Sequence, residues 1–552
     1  MSDPFPRNAD LKLVAAVASA LSLLAFLHYF QRGEILLYGD AVAHINIARR
    51  VFDSQTPGLL QLGTVWLPLP HLLMLPFLAS HWMWQTGVGG SIPSMLAYIL
   101  SVVGVFRLTR ALLDDAGTPP AANAGAWLAA AAFAMNPNLL YLQSTAMTEP
   151  VYLAFFVWAV VYFADLLRAV RPEMNRSAAI RALYRCSACL AGAELTRYDG
   201  WFLAAVTGAV MLAHLRNRWR DPVLRALVIR FALCISLAPL LWLAYNVAVY
   251  GDAFEFANGP YSAKAIEQRT ATPGYASHPG GDHPVTAAAF FLKAAQLNMA
   301  DGNWGRIWIV IALAGTWWGI RQGRSSTMLL LWSPVAFYAL SIAYSGVPLF
   351  LPTWWPFTWY NLRYGLQLLP LFSVTAGLLL VLLLRHSESS RGVWRDRLRR
   401  AGPFVVLATL VLSYFSVWRT QPLSFKEAWV NSRTKLALES SIAQTIASLS
   451  SHTVYLMYIG DHVGALQQAG IPLRQVINEG NHRPWKKPND PDGLWEKALA
   501  NPSAHVDVVI ACDGDAVDQQ VNRSSLVLVK EIHTLGQPRA RVYLARGLNQ
   551  SR

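Results

Sequence analysis

The sequence predicts an α-helical polytopic membrane protein of about eleven transmembrane helices, with a small α/β domain at its C-terminal end. Three observations support this fold class. Of the 552 residues, 54% are hydrophobic and only 14% are charged, which is too apolar for an ordinary soluble chain. Apolar runs of helical length follow one another as far as residue 418. After Arg419, the strand-like runs "TVYLMYI", "VDVVIAC", "SLVLVKEI" and "ARVYLAR" alternate with a helical pattern at 432–449, as in a water-soluble domain.

The predicted spans begin with residues 11–30, a stretch long enough to cross a bilayer. No small-residue cleavage site of the A-x-A type follows its polar flank, so we expect a retained helix rather than a signal peptide. Hydropathy predicts ten further spans, near residues 93–113, 123–141, 150–168, 186–199, 201–215, 227–249, 304–320, 327–345, 365–384 and 402–418.

The formal net charge of +14 suggests a polyanionic partner, but the placement of the basic residues explains it otherwise. They collect in alternate loops, which is the positive-inside pattern of membrane proteins. We therefore expect a cytoplasmic N-terminus, a C-terminal domain on the outer side, surrounding membrane lipids as partners and no nucleic acid. The loops are those with Arg107 and Arg110, Arg168 to Arg185, Arg216 to Arg230, Arg321 and Arg324, and Arg385 to Arg400.

Residues 31–92 are apolar enough to resemble another span, but the four prolines from Pro68 to Pro93, both included, argue against a continuous helix. A crossing here would also invert every later loop and place the arginine clusters outside. We expect a long outer loop of short helices in the membrane interface. The predicted domains are thus a transmembrane domain, 1–419, and an outer α/β domain, 420–552.

Asp40 and His44 follow the first span in "YGDAVAH", at the start of a predicted interfacial helix. In a helix these two side chains are neighbours one turn apart. A structural explanation exists for each: an Asp is a common N-cap, and an interfacial His, like His71 nearby, is often a structural hydrogen-bonding residue.

Further ionisable residues lie at the outer ends of the predicted spans. An unpaired charge near the hydrocarbon costs a few kcal/mol, so several on one side indicate a shared polar cavity. Simple ion pairing, above all of Arg197 with Asp199, is the alternative. The segments are "STAMTEP" with Glu149, "ELTRYDGW" with Arg197, Tyr198 and Asp199, "WYNLRYGLQLLP" with Arg363 and Tyr364, and "YGDAFEFANGPYSAK" with Asp252 and Lys264.

Taken in order, these motifs resemble the GT-C superfamily of integral-membrane glycosyltransferases, near the protein O-mannosyltransferases and the bacterial aminoarabinose transferases. The resemblance covers most of residues 1–385. It rests on the acidic residue of "YGDAVAH", the "TEP" after the third span, the "NLRYGLQLLPLF" segment and the "YGDAFEFANGPYSA" loop. A single Gly-Asp stands where some relatives carry two adjacent acidic residues, and the outer domain varies too much across the superfamily to name an acceptor.

The resemblance implies an enzyme of the bacterial inner membrane that transfers a sugar, with inversion, from a polyprenyl-phosphate donor. The acceptor is a glycan, a lipid or a protein on the outer face. Asp40 is the implied base, and Glu149 orients the acceptor, shares that role or holds a metal. A divalent metal is compatible with the family but no site for it can be assembled from the sequence. The implied phosphate ligands are Arg363, then Arg197 and Lys264, and the implied cavity residues are His44, Tyr198, Asp199, Tyr364 and Asp252.

Two other classes of function remain open from the residues alone. A secondary transporter or flippase would also place ionisable groups in a polar cavity among many helices. A receptor or scaffold without catalysis would use the helices to present the C-terminal domain. Removal of the Asp40 carboxylate discriminates between them, because only an enzyme would lose a reaction while keeping its fold.

Overall fold

The computed structural model describes residues 8–114, 118–171, 175–270, 278–385, 393–449, 453–482 and 490–545. Most of the basic run predicted at residues 385–400 lies outside the described residues or has no described side chains. As predicted, the chain is mainly helical with one small sheet near its C-terminus. It is a multi-pass membrane protein of the predicted fold class.

Helices occupy every region in which a span is predicted. The α-helices up to residue 420 are Asn8–Gln31, Gly39–Arg50, Leu69–Leu78, His81–Thr86, Val88–Leu112, Pro119–Ala134, Pro137–Leu142, Glu149–Ala169, Arg176–Glu194, Asp199–Leu215, Pro222–Tyr250, Glu255–Asn258, Ala263–Thr270, Pro284–Met299, Gly302–Arg321, Ser325–Tyr344, Leu369–Arg385 and Val393–Thr420. Short 3₁₀ helices are Leu59–Leu62, Arg216–Arg218 and Leu362–Leu368. Seven helical segments in the described part of the chain are long and apolar enough to cross a membrane. The number of eleven crossings stays a prediction.

The predicted span at 123–141 is wrong in one respect, because it is two helices rather than one. Pro119–Ala134 ends before Asn136, and Pro137–Leu142 starts a new helix. The Asn136 side chain accepts hydrogen bonds from the backbone N–H groups of Asn138 and Leu139. Because a residue before proline disfavours the helical conformation and Asn is a strong N-cap, the chain breaks here despite its continuous apolar character.

Residues 31–92 contain several short helices, and their place in an outer loop at the membrane interface stays a prediction. The arrangement is held by polar contacts: Trp84 is fully buried and its indole N–H donates to Asn46 Oδ1 at 3.0 Å. Asn46 Nδ2 in turn donates to Gln467 Oε1 at 2.8 Å. Trp84 is thus a core residue of this part of the chain, since its indole N–H already has a buried partner.

The five strands of the C-terminal sheet are Tyr455–Met457 (β1), Val476–Ile477 (β2), Val508–Cys512 (β3), Leu526–Ile532 (β4) and Ala540–Ala545 (β5). They lie in the order β2-β1-β3-β5-β4. β1 pairs in parallel with β2 and β3, and β5 pairs antiparallel with β3 and β4. Four strands match the predicted runs, whereas β2 has only two residues and no pattern that could predict it. The helices of this region are Leu423–Ile446, Ile459–His462, Gly464–Ala469, Leu494–Ala500, Pro502–His505 and Ala516–Gln520, with a 3₁₀ turn at Leu473–Gln475.

The chain forms two compact units, each assembled from separate segments. Unit 1 comprises residues 1–33, 94–243 and 256–427. Unit 2 comprises residues 34–93, 244–255 and 428–552. The domain boundary at residue 419 stays a prediction.

Gly365 illustrates how tightly unit 1 is packed next to its charged residues. A Cβ atom at this position would lie 2.5 Å from the carbonyl carbon of Ala294 and 2.5 Å from the nitrogen of Ala295, both of them backbone atoms. Because backbone cannot move aside as a side chain can, we expect Gly365→Ala to lower the free energy of unfolding by about 1–3 kcal/mol.

The measurement is the melting temperature of the detergent-purified protein. Gly208→Ala is the matched control, since a Cβ there meets only Ile235 Cδ1 at an ordinary 3.6 Å. Equal melting temperatures for the two variants would contradict the close packing at Gly365.

Candidate active site

Glu149 is the centre of a buried charged cluster in unit 1. It is the first residue of the helix Glu149–Ala169, followed by Pro150, which suits the first helical turn because that position needs no N–H donor. The Glu149 side chain is fully buried. Its Oε1 accepts hydrogen bonds from Arg197 Nη1 at 3.1 Å and from Arg363 Nε at 3.0 Å. One carboxylate oxygen therefore joins the two arginines of the cluster.

Arg197 lies in the turn before the helix Asp199–Leu215, and its guanidinium group donates hydrogen bonds to several residues. Its Nε donates to both oxygens of Asp199, at 3.2 and 3.3 Å, and its Nη1 donates to Thr148 Oγ1 at 3.1 Å. The Tyr338 hydroxyl accepts from Arg197 Nη2 at 3.2 Å and donates to Asp199 Oδ2 at 3.2 Å. The ion pair proposed from the sequence as a structural alternative therefore forms, and it is one part of a larger network.

Arg363 lies in the 3₁₀ helix Leu362–Leu368 and bonds a second carboxylate. Its Nη1 donates to Glu427 Oε1 at 2.8 Å. Glu427 is 1% exposed and belongs to the helix Leu423–Ile446. Sequence reasoning missed this residue, because "FKEAW" follows the last predicted span and has the charge content of a solvent-exposed helix.

The Tyr364 ring completes the cluster on one side. The guanidinium carbon of Arg197 lies 4.8 Å from its centroid and that of Arg363 lies 5.2 Å from it. Cations at such distances over an aromatic ring are attracted by its negative face, by about 0.5–2 kcal/mol. Tyr364 therefore offsets part of the electrostatic repulsion between the two guanidinium groups.

The cluster has an excess of negative charge. Three carboxylates, Glu149, Asp199 and Glu427, face two guanidinium groups, so the formal charge is −1. Five of the six carboxylate oxygens accept a hydrogen bond, and Glu149 Oε2 is the one that has no partner within the described residues. A buried carboxylate oxygen without a donor is costly, which favours the approach of a hydrogen-bond donor from a substrate.

Two other predicted site residues lie in unit 1 outside this cluster. The Tyr198 hydroxyl accepts from Trp242 Nε1 at 3.3 Å, and its ring stacks on Phe256 at 4.9 Å between centroids. Lys264 is exposed on the helix Ala263–Thr270 and takes no part in the hydrogen bonds described above. The structure thus brings together five predicted residues in unit 1, namely Glu149, Arg197, Asp199, Arg363 and Tyr364.

The remaining predicted residues belong to unit 2. Asp40 is the second residue of the helix Gly39–Arg50, whose N-cap is Tyr38, so the N-cap explanation of Asp40 is wrong. Asp252 Oδ1 accepts from the backbone N–H of Phe254 at 2.8 Å, a local turn contact.

His44 belongs to a buried histidine pair of unit 2. Its Nδ1 lies 2.9 Å from His71 Nε2, and its ring lies 4.5 Å from that of Trp66. Burial, reinforced by the nearby positive charges of His44 and Arg50, holds the pKa of His71 well below its ordinary value. His71 is therefore uncharged at neutral pH, and its contact with His44 Nδ1 restricts the orientation of the His44 ring.

A metal site is not evident in the described ranges, which hold no group of three or more His, Cys, Asp or Glu side chains arranged as ligands. The unpartnered Glu149 Oε2 is a single oxygen, fewer ligands than Mg²⁺ or Ca²⁺ needs. The four cysteines are free thiols.

Comparison with known proteins places this site in a known fold. No family model matches the chain, and no curated protein matches it. Among solved structures, ArnT of Cupriavidus metallidurans bound to undecaprenyl phosphate superposes with a TM-score of 0.58 and 13% sequence identity, covering 97% of this chain and 98% of ArnT. The chain has the fold of ArnT. The same enzyme in its apo state gives a TM-score of 0.54 and 12% identity over the same shares of the two chains.

ArnT is an aminoarabinose transferase of the GT-C superfamily, so the resemblance predicted from the motifs is confirmed for the fold. A third structure, oligosaccharyltransferase AglB of Archaeoglobus fulgidus with an inhibitory peptide and a dolichol-phosphate, gives a TM-score of 0.49 at 12% identity. That match covers 91% of this chain and 69% of AglB.

Proposed function

We propose that the protein is a glycosyltransferase that moves a sugar from a polyprenyl-phosphate donor to an acceptor. The observation that carries the proposal is the buried cluster around Glu149, built from residues far apart in sequence on the fold of ArnT. Buried ionisable groups in a membrane domain are costly and are therefore retained for function. The undecaprenyl phosphate bound to ArnT supports a lipid-linked phosphate as the donor.

The proposed reaction is a single displacement at the anomeric carbon. The acceptor hydroxyl oxygen forms a bond to that carbon as the bond to the phosphate oxygen breaks, so the configuration inverts and polyprenyl phosphate leaves. The hydroxyl proton has to pass to a base, for which we propose Asp40. We propose that Glu149 orients the hydroxyl by accepting a hydrogen bond at Oε2, the oxygen that has no donor among the described residues.

We assign the stabilisation of the leaving phosphate to Arg363, with Arg197 and Lys264 as further cations. Because Arg363 already bonds Glu149 and Glu427, a phosphate has to compete with two carboxylates for it. The interaction of this cation with the phosphate becomes strongest as the phosphate acquires its full charge on leaving. The arrangement therefore stabilises the transition state more than the bound donor.

The proposed setting is the bacterial inner membrane, with the N-terminus in the cytoplasm and the C-terminal domain outside. The acceptor is a glycan, a lipid or a protein, and residues 420–552 are proposed to contribute to its recognition. His44, Tyr198, Asp199, Tyr364 and Asp252 are proposed to line the substrate cavity.

The test uses purified protein in nanodiscs, a panel of radiolabelled polyprenyl-phosphate sugars and a cell-envelope extract as acceptor. We expect transfer from one donor of the panel, and we expect Asp40→Asn to reduce it by about 10²–10⁴-fold, the usual contribution of a positioned base. Asp301→Asn is the matched control, because Asp301 is the exposed N-cap residue of the helix Gly302–Arg321 and Asn can fill its capping role.

The proposed function is refuted if no donor of the panel is bound or consumed by the folded parent. If the parent transfers sugar and Asp40→Asn does so equally well, the assignment of the base is wrong. Movement of intact donor across the membrane without transfer would favour the flippase alternative.

A further inference from the structure

We propose that Glu427 is a positioning residue for the transfer reaction, which holds the Arg363 guanidinium at the leaving phosphate without itself touching substrate. The inference rests on the proposed function and adds a residue that neither the motifs nor the fold comparison assigns.

Glu427 bonds three consecutive residues of one segment. Its Oε1 accepts from the backbone N–H of Asn361 at 3.1 Å and from Arg363 Nη1 at 2.8 Å, and its Oε2 accepts from the backbone N–H of Leu362 at 2.8 Å. The carboxylate therefore fixes both the main chain that carries Arg363 and one end of its guanidinium. Since each bond involves an ionised acceptor, each is stronger than a bond between neutral groups.

The backbone of this segment needs such an anchor. Asn361 has a φ of 55°, in the left-handed region that costs energy for a residue with a side chain. Its side-chain nitrogen donates to the carbonyl of Pro348 at 2.7 Å. Glu427 and Pro348 together hold Asn361 in a conformation that turns the chain directly before Arg363.

Glu427 and Glu149 both bond Arg363, but they differ in their remaining capacity to accept hydrogen bonds. Both oxygens of Glu427 accept hydrogen bonds from protein donors, whereas Glu149 Oε2 accepts none from the part of the chain that the structure describes. Glu149 is therefore the carboxylate of this pair that is available to a substrate, and Glu427 is the one committed to the protein.

The variant Glu427→Gln separates positioning from charge. An amide oxygen accepts like a carboxylate oxygen, but an amide nitrogen does not. If the amide nitrogen replaces Oε2, the bond from the Leu362 N–H is lost; if it replaces Oε1, the bonds from the Asn361 N–H and the Arg363 guanidinium are lost. The substitution also removes one negative charge, which makes the formal charge of the cluster zero and favours binding of an anionic donor. Loss of positioning should therefore lower kcat at least tenfold, while KM for the donor stays equal or falls.

The experiment measures kcat and KM for donor transfer in nanodiscs, with melting temperatures, for the parent, Glu427→Gln, Glu427→Asp and Glu194→Gln. Glu194 is the matched control, a buried carboxylate of unit 1 outside the hydrogen bonds of the cluster. We expect parental kinetics for Glu194→Gln and partial recovery of kcat for Glu427→Asp, which keeps an ionised acceptor.

A parental kcat in Glu427→Gln, or a rise in donor KM as the main effect, would overturn the positioning role. If Glu427→Gln melts too low to assay, Glu427→Asp decides the matter, since it is then expected to have reduced kcat at parental KM. Failure of the parent to bind or use any donor refutes the proposed function instead, so the two outcomes are distinct.

Discussion

Glu149→Gln is expected to reduce the rate of sugar transfer by about 10²-fold, the usual effect of a misplaced reactant, while the protein remains folded. The amide oxygen can replace Oε1 and keep accepting from Arg197 and Arg363. The amide nitrogen would then replace Oε2 and present N–H donors where the parent presents an acceptor. An acceptor hydroxyl that donates to Oε2 in the parent would lose its partner, and kcat would fall.

The measurement is kcat and KM with a saturating donor and a varied acceptor, together with a melting curve. Glu194→Gln again serves as the control, because it makes the same chemical change at another buried carboxylate of unit 1. A variant that retains the parental kcat would show that Oε2 has no part in the reaction. A loss of activity that follows the loss of folded protein would show a structural role only.

Arg363→Ala is expected to abolish transfer and also to destabilise the protein. Among the described residues, removal of the guanidinium leaves Glu427 without an arginine partner and Glu149 with Arg197 alone. Breaking a buried ion pair in this way typically costs about 3–5 kcal/mol of the free energy of unfolding. The loss of activity in this variant therefore has two causes that a second variant has to separate.

Arg363→Lys provides the separation. An ammonium keeps the positive charge but lacks the planar fork that bonds two carboxylates in fixed directions. We expect a folded protein whose kcat/KM for the donor is at least tenfold lower. Arg107→Lys is the control, because Arg107 also bonds a carboxylate, Asp165 at 2.7 Å, and lies over the ring of Trp158. Parental kcat/KM in Arg363→Lys would refute the phosphate role.

Much of the fold could be predicted because hydropathy reports directly on which segments avoid water. The helix break at Asn136 could not be predicted in this way, since "AAAAFAMNPNLLYL" is apolar on both sides of the break. The deciding interactions are local ones, a proline and a side chain that caps two N–H groups. An average over a window of many residues does not register them.

The site could be predicted where an ionisable group lies beside an apolar run, as with Glu149, Arg197 and Arg363. Burial of an ionisable group beside an apolar run costs free energy, and this cost indicates that the residue has a function. Two members of the network have no such signal. Tyr338 is uncharged and lies within an apolar helix, and Glu427 lies among charged residues that favour a surface position. Only the fold reveals that the Tyr338 hydroxyl bonds Asp199 and that Glu427 is buried.

Unit 2 is assembled from separate segments of the chain, and this limits how its C-terminal segment can be exchanged between proteins. Residues that precede it by some four hundred positions bond directly to it: Asn46 to Gln467, the Arg474 N–H to Asp53 Oδ1 at 3.2 Å, and Asn481 Nδ2 to Thr56 Oγ1 at 2.8 Å. A fragment that starts at residue 420 lacks all three early partners. Chimaeras that graft a foreign C-terminal segment would need the matching residues 34–93 as well. We therefore expect that the two stretches can be exchanged between proteins only together, although most of the chain separates them in sequence.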